Sequence, residues 1–212
     1  MTEHPTPQGQ ELLRAEDRRL VTGHGCYAAD WCIDGSLHAH VLRSDRAHAV
    51  LGRIDTATAR DMPGVRLIIT GAELLAAGAR PVRALHARTG AAGKALLSTD
   101  WYPLATERVR YVGEPVAIVI AARADEAQRA AESIVIEYED LPAVVGAESA
   151  LAPGALEIDA KVPGNLVMDY RCGDAQAVEA AIARAAHVTT VTVDSRRLIG
   201  NPLEPRAATV SY

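Results

Sequence analysis

Phenylalanine is absent from this 212-residue sequence, lysine occurs only twice, and no apolar run is long enough to form a membrane-spanning helix. The first 19 residues contain no apolar segment, so we expect no secretory signal peptide and a cytoplasmic location. The formal net charge of −5 disfavours a nucleic-acid partner, because neutralising phosphates requires a basic surface.

Cysteine is also scarce, with only Cys26, Cys32 and Cys172. Three is an odd number, and no two of them form a C-x-x-C pair, which argues against a disulfide framework. A structural zinc site or an iron–sulfur cluster needs several clustered ligands. We therefore expect three reduced thiols.

What is present is the composition of a folded domain, with 49% hydrophobic and 23% charged residues. Strand-like and helix-like segments are mixed along the chain, which predicts an α/β or α+β fold. Residues 1–13 are polar and contain two prolines, so we expect a disordered lead-in. Residues 151–165 contain two Pro-Gly pairs and form the best candidate for a linker.

The local patterns predict individual elements, with an irregular excursion over 76–100. Predicted strands cover 36–44, 65–70, 109–112, 116–122, 134–138, 187–195 and 206–212. Predicted helices cover 71–75, 123–133 and 175–186, the last with Asp174 as its N-cap. The order strand, helix, strand over 116–138 predicts a crossover unit.

Two histidine-containing motifs invite a functional interpretation. Gly23-His24-Gly25 lacks the following glycine and helix of a phosphate-binding loop, so a tight turn is the better prediction. His38 and His40 share one face of a predicted strand, and with His48 they are candidate metal ligands. A polar sheet face is the favoured alternative, because no carboxylate or cysteine stands at a defined spacing.

Glu114, in Gly113-Glu114-Pro115, is a candidate acid or base. The favoured interpretation is structural: the glycine and proline shape a bulge or corner, and the carboxylate accepts backbone or arginine hydrogen bonds.

Glu204 and Arg206, in the segment 201–206, alternate along an extended backbone and so can pair on one face. No serine stands in a G-x-S-x-G nucleophile elbow. The residues alone therefore indicate no self-contained catalytic arrangement.

Taken in order, several segments resemble one family. They are RAEDRRLVTGHGCYAAD at 14–30, GSLHAHVLRS at 35–44, VRYVGEPVA at 109–117, YEDLPAV at 138–144 and PLEPR at 202–206. This ordered set resembles the molybdenum-binding large subunits of the xanthine dehydrogenase, aldehyde oxidase and carbon monoxide dehydrogenase family.

The resemblance implies an α+β fold: an α/β-hammerhead domain over 14–150, the linker, and then, over 166–212, the first helix and strands of an incomplete molybdenum-cofactor-binding domain. The family's glycine-rich molybdopterin-binding stretch and its catalytic glutamate match no segment of this sequence. The resemblance therefore assigns no catalytic residue and no metal ligand here, and it leaves cofactor-binding residues unknown.

The resemblance also implies a larger assembly. This chain alone would bind no cofactor. The complex would contain a molybdenum cofactor of the molybdopterin-cytosine-dinucleotide type, 2Fe–2S clusters and FAD. These would be carried by the remaining molybdenum-binding subunit, an iron–sulfur subunit and an FAD subunit.

Two hypotheses follow. In the first, the chain is the N-terminal part, or a split small subunit, of a molybdenum hydroxylase that acts on an aldehyde or an N-heterocycle; it is structural and channel-forming, and not catalytic alone. In the second, it is a non-enzymatic, stand-alone hammerhead scaffold or assembly module.

Overall fold

The computed structural model describes residues 14–31, 33–82, 89–193, 195, 198–202, 204 and 206–211. The chain divides into two compact units. The smaller unit combines Met1–Asp34 with Thr189–Tyr212, and it contains the helix α1 (Asp17–Val21) and a 3₁₀ turn at Ala28–Asp30. The larger unit is Gly35–Val188.

The larger unit mixes short strands with short helices. Its strands are β1 (His38–Arg43), β2 (Ala49–Asp55), β3 (Val65–Thr70), β4 (Arg108–Val109), β5 (Pro115–Ala121) and β6 (Val135–Asp140). Its helices are α2 (Ala57–Arg60), α3 (Gly71–Ala76), α4 (Ala124–Glu132), α5 (Ala147–Leu151) and α6 (Ala175–Ala183). This mixture of helices and antiparallel strands confirms the α+β prediction.

The strands form two antiparallel sheets of three strands each, in the orders β1-β5-β3 and β4-β2-β6. The strand β5 is central to the first sheet, as its unbroken apolar run predicts. Ala117, Val119 and Ala121 alternate along it and are fully buried, while Ile118 and Ile120 between them are half-buried.

The main core lies where α4 packs across β1 and β5. The helix presents Ala127, Ala130 and Ala131, all fully buried, and these small side chains allow its backbone to lie close to the sheet. Ile68 of β3 belongs to the same cluster. A second, smaller cluster consists of Ala49 of β2, Val109 of β4, Val116 of β5 and Ala105, so it joins the second sheet to the start of β5.

The predicted crossover over 116–138 is wrong, although β5, α4 and β6 all form. The strand β6 pairs with β2 in the second sheet, whereas β5 lies in the first. A crossover unit needs two parallel strands in one sheet, and each ladder described is antiparallel. Local patterning predicts the elements, but it carries no information about which strand each will pair with.

The last part of the larger unit contains α6, which Asp174 caps as predicted: its Oδ1 accepts a hydrogen bond from the Ala177 N–H at 3.0 Å. The helix ends at Ala183, three residues earlier than predicted. The predicted strands at 187–195 and 206–212 do not form in the part of these segments that the structure describes. A strand needs a ladder partner, and every described residue from Asp169 onward is exposed.

No helix among the described residues is long and apolar enough to cross a bilayer.

Candidate functional site

The Gly113-Glu114-Pro115 segment forms a sharp corner at the start of β5. Gly113 has a φ of +91°, which glycine adopts without steric cost. Its N–H donates to the Ser44 carbonyl at 2.7 Å, and the Ser44 N–H donates to the Glu114 carbonyl at 2.9 Å. The β1–β5 pairing shifts register between Leu42 and Arg43 beside this corner, so the predicted bulge or corner is confirmed.

The Glu114 carboxylate lies inside the corner, because the residue is only 7% exposed. Its Oε2 accepts a hydrogen bond from the Arg110 backbone N–H at 2.5 Å. Burial raises the pKa of this carboxyl group, and backbone hydrogen bonds and the Arg110 charge only partly offset that effect. The predicted role as an acceptor of backbone hydrogen bonds is confirmed, and the carboxylate closes the 110–114 loop on itself.

A polar cleft with a cavity of about 430 Å³ opens beside Glu114. Two ion pairs line it: Arg110 Nη2 lies 3.6 Å from Asp159 Oδ2, and Lys161 Nζ lies 2.5 Å from Asp100 Oδ2. The remaining lining residues are Leu75, Tyr102, Ala105, Thr106, Glu107, Arg108, Ile158 and Ala160.

The cleft is lined mainly by charged and polar side chains, and its lining contains no histidine, cysteine or serine. The cations of both ion pairs are already compensated by carboxylates. The Arg110 Nε is buried without a hydrogen-bond partner, which leaves one donor in the cleft wall unused.

Sequence reasoning identified Glu114 but missed Asp100, Asp159 and Lys161, which contribute the ion pairs. Asp159 and Lys161 reach the cleft from the segment predicted to be a linker, which folds around Asn165 at a φ of +57°, whereas Asp100 ends the excursion predicted over 76–100. The Asn165 side-chain amide donates to the Ala150 and Leu156 carbonyls, and its oxygen accepts from the Ile158 N–H. The only sequence signal was the Pro-Gly pair directly before it.

The histidine candidates do not assemble a metal site in the described residues. His38 is exposed, His40 is half-buried, and His48 is 5% exposed. The His48 Nδ1 lies 2.8 Å from the Pro142 carbonyl oxygen, so it carries the proton and donates it. No group of three or more histidine, cysteine, aspartate or glutamate side chains is placed to hold a metal within the described ranges.

The glycine-rich motif forms a turn, and the described cysteines are free thiols. Gly23 has a φ of +76°, which confirms the predicted tight turn at Gly23-His24-Gly25. Cys26 is an exposed free thiol, as is Cys172 of the larger unit, whereas Cys32 lies outside the described residues.

Glu204 has a different partner from the one predicted. Its Oε1 accepts a hydrogen bond from the Ala28 N–H at 3.1 Å, at the 3₁₀ turn of the smaller unit. The structure shows no Glu204–Arg206 ion pair in the portion of 201–206 that it describes. In place of its sequence neighbour, Glu204 bonds a residue 176 positions away.

Comparison with known proteins identifies the fold. The family model for the a/b hammerhead domain of aldehyde oxidase and xanthine dehydrogenase matches residues 22–142. The chain is 38% identical over 203 residues to the gamma subunit of the 6-hydroxypseudooxynicotine dehydrogenase complex of Paenarthrobacter nicotinovorans. That alignment covers 95% of this chain and 25% of the relative.

Solved structures of similar proteins lead to the same assignment. Quinoline 2-oxidoreductase from Pseudomonas putida 86 is 42% identical with a TM-score of 0.59, over 68% of this chain and 17% of that one. The Cu,Mo-CO dehydrogenase is 28% identical with a TM-score of 0.63, over 84% and 23%. This chain thus spans about a quarter of the length of the curated relative described above. It belongs to the aldehyde oxidase and xanthine dehydrogenase family, through the a/b hammerhead domain.

Proposed function

We propose that this chain supplies the hammerhead part of a molybdenum-dependent hydroxylase, where it shapes the wall of the substrate channel and makes subunit contacts. The observation that carries the proposal is the fraction of each chain that the alignment covers. Nearly all of this chain, 95%, aligns with only 25% of a dehydrogenase-complex subunit that is 38% identical to it. The chain therefore corresponds to one part of such a subunit, either as its N-terminal part or as a split small subunit.

The exposure of the C-terminal residues supports an assembly role. Large apolar side chains stay exposed there, among them Val191, Val193, Leu198 and Ile199. Exposed apolar side chains in such numbers are typical of surfaces that a partner covers. Val191 and Val193 belong to the Thr/Val-rich run that was predicted to be a strand, which forms no ladder among the described residues.

We assign no cofactor-binding residue to this chain. Within the described ranges, no three metal-ligating side chains converge, and two cations of the polar cleft beside Glu114, Arg110 and Lys161, are paired with carboxylates. We therefore assign no catalytic residue and no reaction step to this chain. A cofactor of the molybdopterin-cytosine-dinucleotide type, held by the remaining molybdenum-binding part, would supply the oxidation in the complex, and 2Fe–2S and FAD subunits would carry the electrons away.

For the substrate class, we propose an N-heterocycle, with an aldehyde as the alternative. The names of two similar proteins, a 6-hydroxypseudooxynicotine dehydrogenase subunit and a quinoline 2-oxidoreductase, refer to nitrogen heterocycles. For the organisation, we propose the hammerhead domain at 14–150, a connecting segment at 151–165, and the start of the molybdenum-binding region at 166–212, all in the cytoplasm.

The test is to purify the tagged chain from its native host under mild conditions. We expect molybdenum, iron and flavin in the eluate, with co-eluting chains identified by mass spectrometry as molybdenum-binding, iron–sulfur and flavin subunits. A mock purification from the untagged host gives the background. A metal-free monomer at native expression level would contradict the proposal and favour a stand-alone hammerhead scaffold.

A further inference from the structure

The segment 156–168, which follows the Pro153-Gly154 pair, lies across the polar cleft, and we call it the strap. Four of its consecutive residues, 158–161, line the cleft together with residues of 100–114. The strap is therefore part of the cleft wall, and a movement of the strap away from the rest of the larger unit would open the cleft beside Glu114.

Polar contacts fasten the strap. Its Asp159 pairs with Arg110, and its Lys161 pairs with Asp100. The Lys161 pair is about half exposed on both sides, and exposed ion pairs contribute little to stability, because water and salt screen them. This second pair therefore adds only a weak attachment.

Little apolar packing supports these contacts. Val162 is the only buried side chain among residues 156–168, and it belongs to neither of the two hydrophobic clusters of the larger unit. The far end of the strap is attached through a backbone hydrogen bond, in which the Leu97 N–H donates to the Val167 carbonyl at 3.0 Å. Segments with few buried apolar contacts open locally at a lower free energy than the core.

The strap also has hydrogen bonds of its own. The Asn165 side chain bonds three backbone groups of 150–158, and the Gly164 N–H donates to the Glu157 Oε1 at 2.8 Å. These bonds lie within 150–165 and do not involve the facing wall of the cleft. They can therefore persist when the contacts to that wall break, so that the strap moves as one unit.

The Arg110–Asp159 pair has the position of a latch. It is the least exposed of the ion pairs among the described residues, with 14% of the Asp159 side chain exposed. The Arg110 Nη2 lies 3.6 Å from the Asp159 Oδ2, beyond hydrogen-bond distance, and the Arg110 Nε is buried without a partner. Attraction between charges, rather than a hydrogen bond, therefore holds this pair.

We propose that residues 156–168 form a strap that opens and closes the polar cleft as one unit, with the Arg110–Asp159 ion pair as its latch. The backbone N–H of Arg110 also holds the Glu114 carboxylate, so the latch connects the strap to the corner at the start of β5. This proposal rests on contacts within the chain, and it stands or falls independently of the proposed function.

Thiol labelling measures the opening of the cleft. Thr106 is half-buried in the cleft lining, and Thr106→Cys in the full-length chain places a thiol there. A bulky maleimide should label this thiol slowly when the strap is closed. The exposed Cys172 thiol is the internal reference for reactivity, and peptide mapping distinguishes the labelled positions.

Removal of the charge from the latch should speed this labelling. In the Thr106→Cys background, Asp159→Asn keeps an oxygen that accepts from the Lys161 N–H and removes the charge that attracts Arg110. We expect labelling at position 106 to become about threefold to fivefold faster relative to Cys172, as the loss of a partly exposed ion pair allows.

Two further variants separate the latch from a general loss of structure. Asp169→Asn is the matched control, because the Asp169 carboxylate pairs with Arg171 and does not line the cleft, and it should leave the labelling rate unchanged. Arg110→Gln should speed labelling as Asp159→Asn does. The double variant should be no faster than either single variant, because each removes the same interaction.

Hydrogen exchange tests whether the strap opens without global unfolding. In the chain without substitutions, we expect the Leu97 N–H to exchange at least about a hundredfold faster than the N–H of Val119, which is fully buried in the central strand β5. Asp159→Asn should speed exchange at Leu97 and leave Val119 unchanged, which also confirms that the variant folds.

Each contrary result overturns the proposal. Equal exchange rates at Leu97 and Val119 would mean that the strap opens only when the whole unit unfolds. Labelling that is as fast in Asp169→Asn as in Asp159→Asn, or additive effects in the double variant, would rule out the ion pair as the latch. Faster exchange at Leu97 without faster labelling at position 106 would mean that the strap moves without opening the cleft.

Discussion

Two helices of equal length, α4 and α6, have opposite environments. Each has nine residues and is rich in alanine. On α4, Ala127, Ala130 and Ala131 are fully buried against the first sheet, whereas on α6 every residue is exposed. The contrast extends to the sheet body (residues 38–140), which has buried cores, and the exposed segment (the described residues of 169–211), which has none.

Local sequence signals do not explain this difference. The better N-cap belongs to α6, where the Asp174 side chain accepts a backbone N–H, whereas α4 has no side-chain cap. Both helices carry an apolar stripe. What distinguishes them is a partner surface: the strands β1 and β5 lie under α4. Packing against a sheet, rather than capping or helix propensity, therefore determines which of the two helices belongs to a buried core.

The largest expected effect compares the same substitution in the two regions. Ile68→Ala removes a side chain that is 1% exposed in the main core, and it should lower the free energy of unfolding by about 2–5 kcal/mol. Ile199→Ala, at a side chain that is 95% exposed, should change it by less than about 0.5 kcal/mol. Urea unfolding of the isolated chain measures both, and comparable losses would show that the exposed segment packs in solution.

A glycine pair tests steric packing in the same way. A Cβ on Gly71 would lie 2.0 Å from the Ala105 carbonyl oxygen, whereas a Cβ on Gly200 meets nothing within 4 Å. Because a backbone atom cannot move aside cheaply, Gly71→Ala should cost about 1–3 kcal/mol of stability. Gly200→Ala is the control and should leave the melting temperature unchanged. A Gly71→Ala variant as stable as the parent would contradict the close approach of α3 to residue 105.

Sequence predicted the body well wherever one local pattern decides the outcome. The strand β3 begins and ends where the VRLIIT run does, and β5 and α4 form within one residue of prediction. The Glu114 corner was also predictable, because glycine and proline around a carboxylate leave few backbone conformations.

Long-range pairing was not predictable from one sequence. The pairing of β6 with β2 depends on residues about 85 positions apart in the chain. The cleft likewise joins Asp100 to Lys161 and Arg110 to Asp159, and charged residues with no motif around them give no sign of meeting. The predicted strands at 187–195 and 206–212 failed for a related reason, since β-branched patterning predicts a strand only when a ladder partner exists.

The third expected effect uses helix caps. The Thr70 hydroxyl accepts from the Glu73 N–H at the start of α3, and Thr70→Ala should lower global stability by about 0.5–2 kcal/mol, because α3 continues directly from β3 of the sheet body. Asp174→Ala removes the α6 cap and should lower the helix content without moving the global unfolding midpoint. Hydrogen exchange resolves the two cases: Asp174→Ala should speed exchange in α6 alone. Faster exchange in the sheet strands of that variant would show that α6 is coupled to the body.

The smallest expected effect concerns two carboxylates of the sheet body, Glu73 and Glu114. It measures how much their ionisation contributes to the free energy of unfolding. Partial burial alone would raise the pKa of Glu73, but hydrogen bonds from Thr70 and the charge of Arg60, whose Nη2 lies 2.6 Å from its Oε1, outweigh burial and lower it. Burial raises the pKa of Glu114. The two groups should therefore respond to pH with opposite sign.

The ionised form of Glu73 stabilises the fold above the ordinary glutamate pKa of about 4.3, and this contribution is lost as the pH falls through its lowered folded-state pKa. Glu73→Gln should accordingly be less stable than the parent at pH 7, by at most about 1 kcal/mol for so exposed a pair, and the gap should close in acid.

The ionised form of Glu114 has the opposite effect. It lowers the free energy of unfolding as the pH rises from the ordinary glutamate pKa toward the raised folded-state value. Since glutamine keeps an oxygen that accepts from the Arg110 N–H, Glu114→Gln should be at least as stable as the parent at pH 7 and converge with it near pH 4. Urea unfolding of the three proteins across pH 4 to 7 measures both effects, and a loss of stability in Glu114→Gln that grows with pH would mean that the buried charge has a favourable partner in solution.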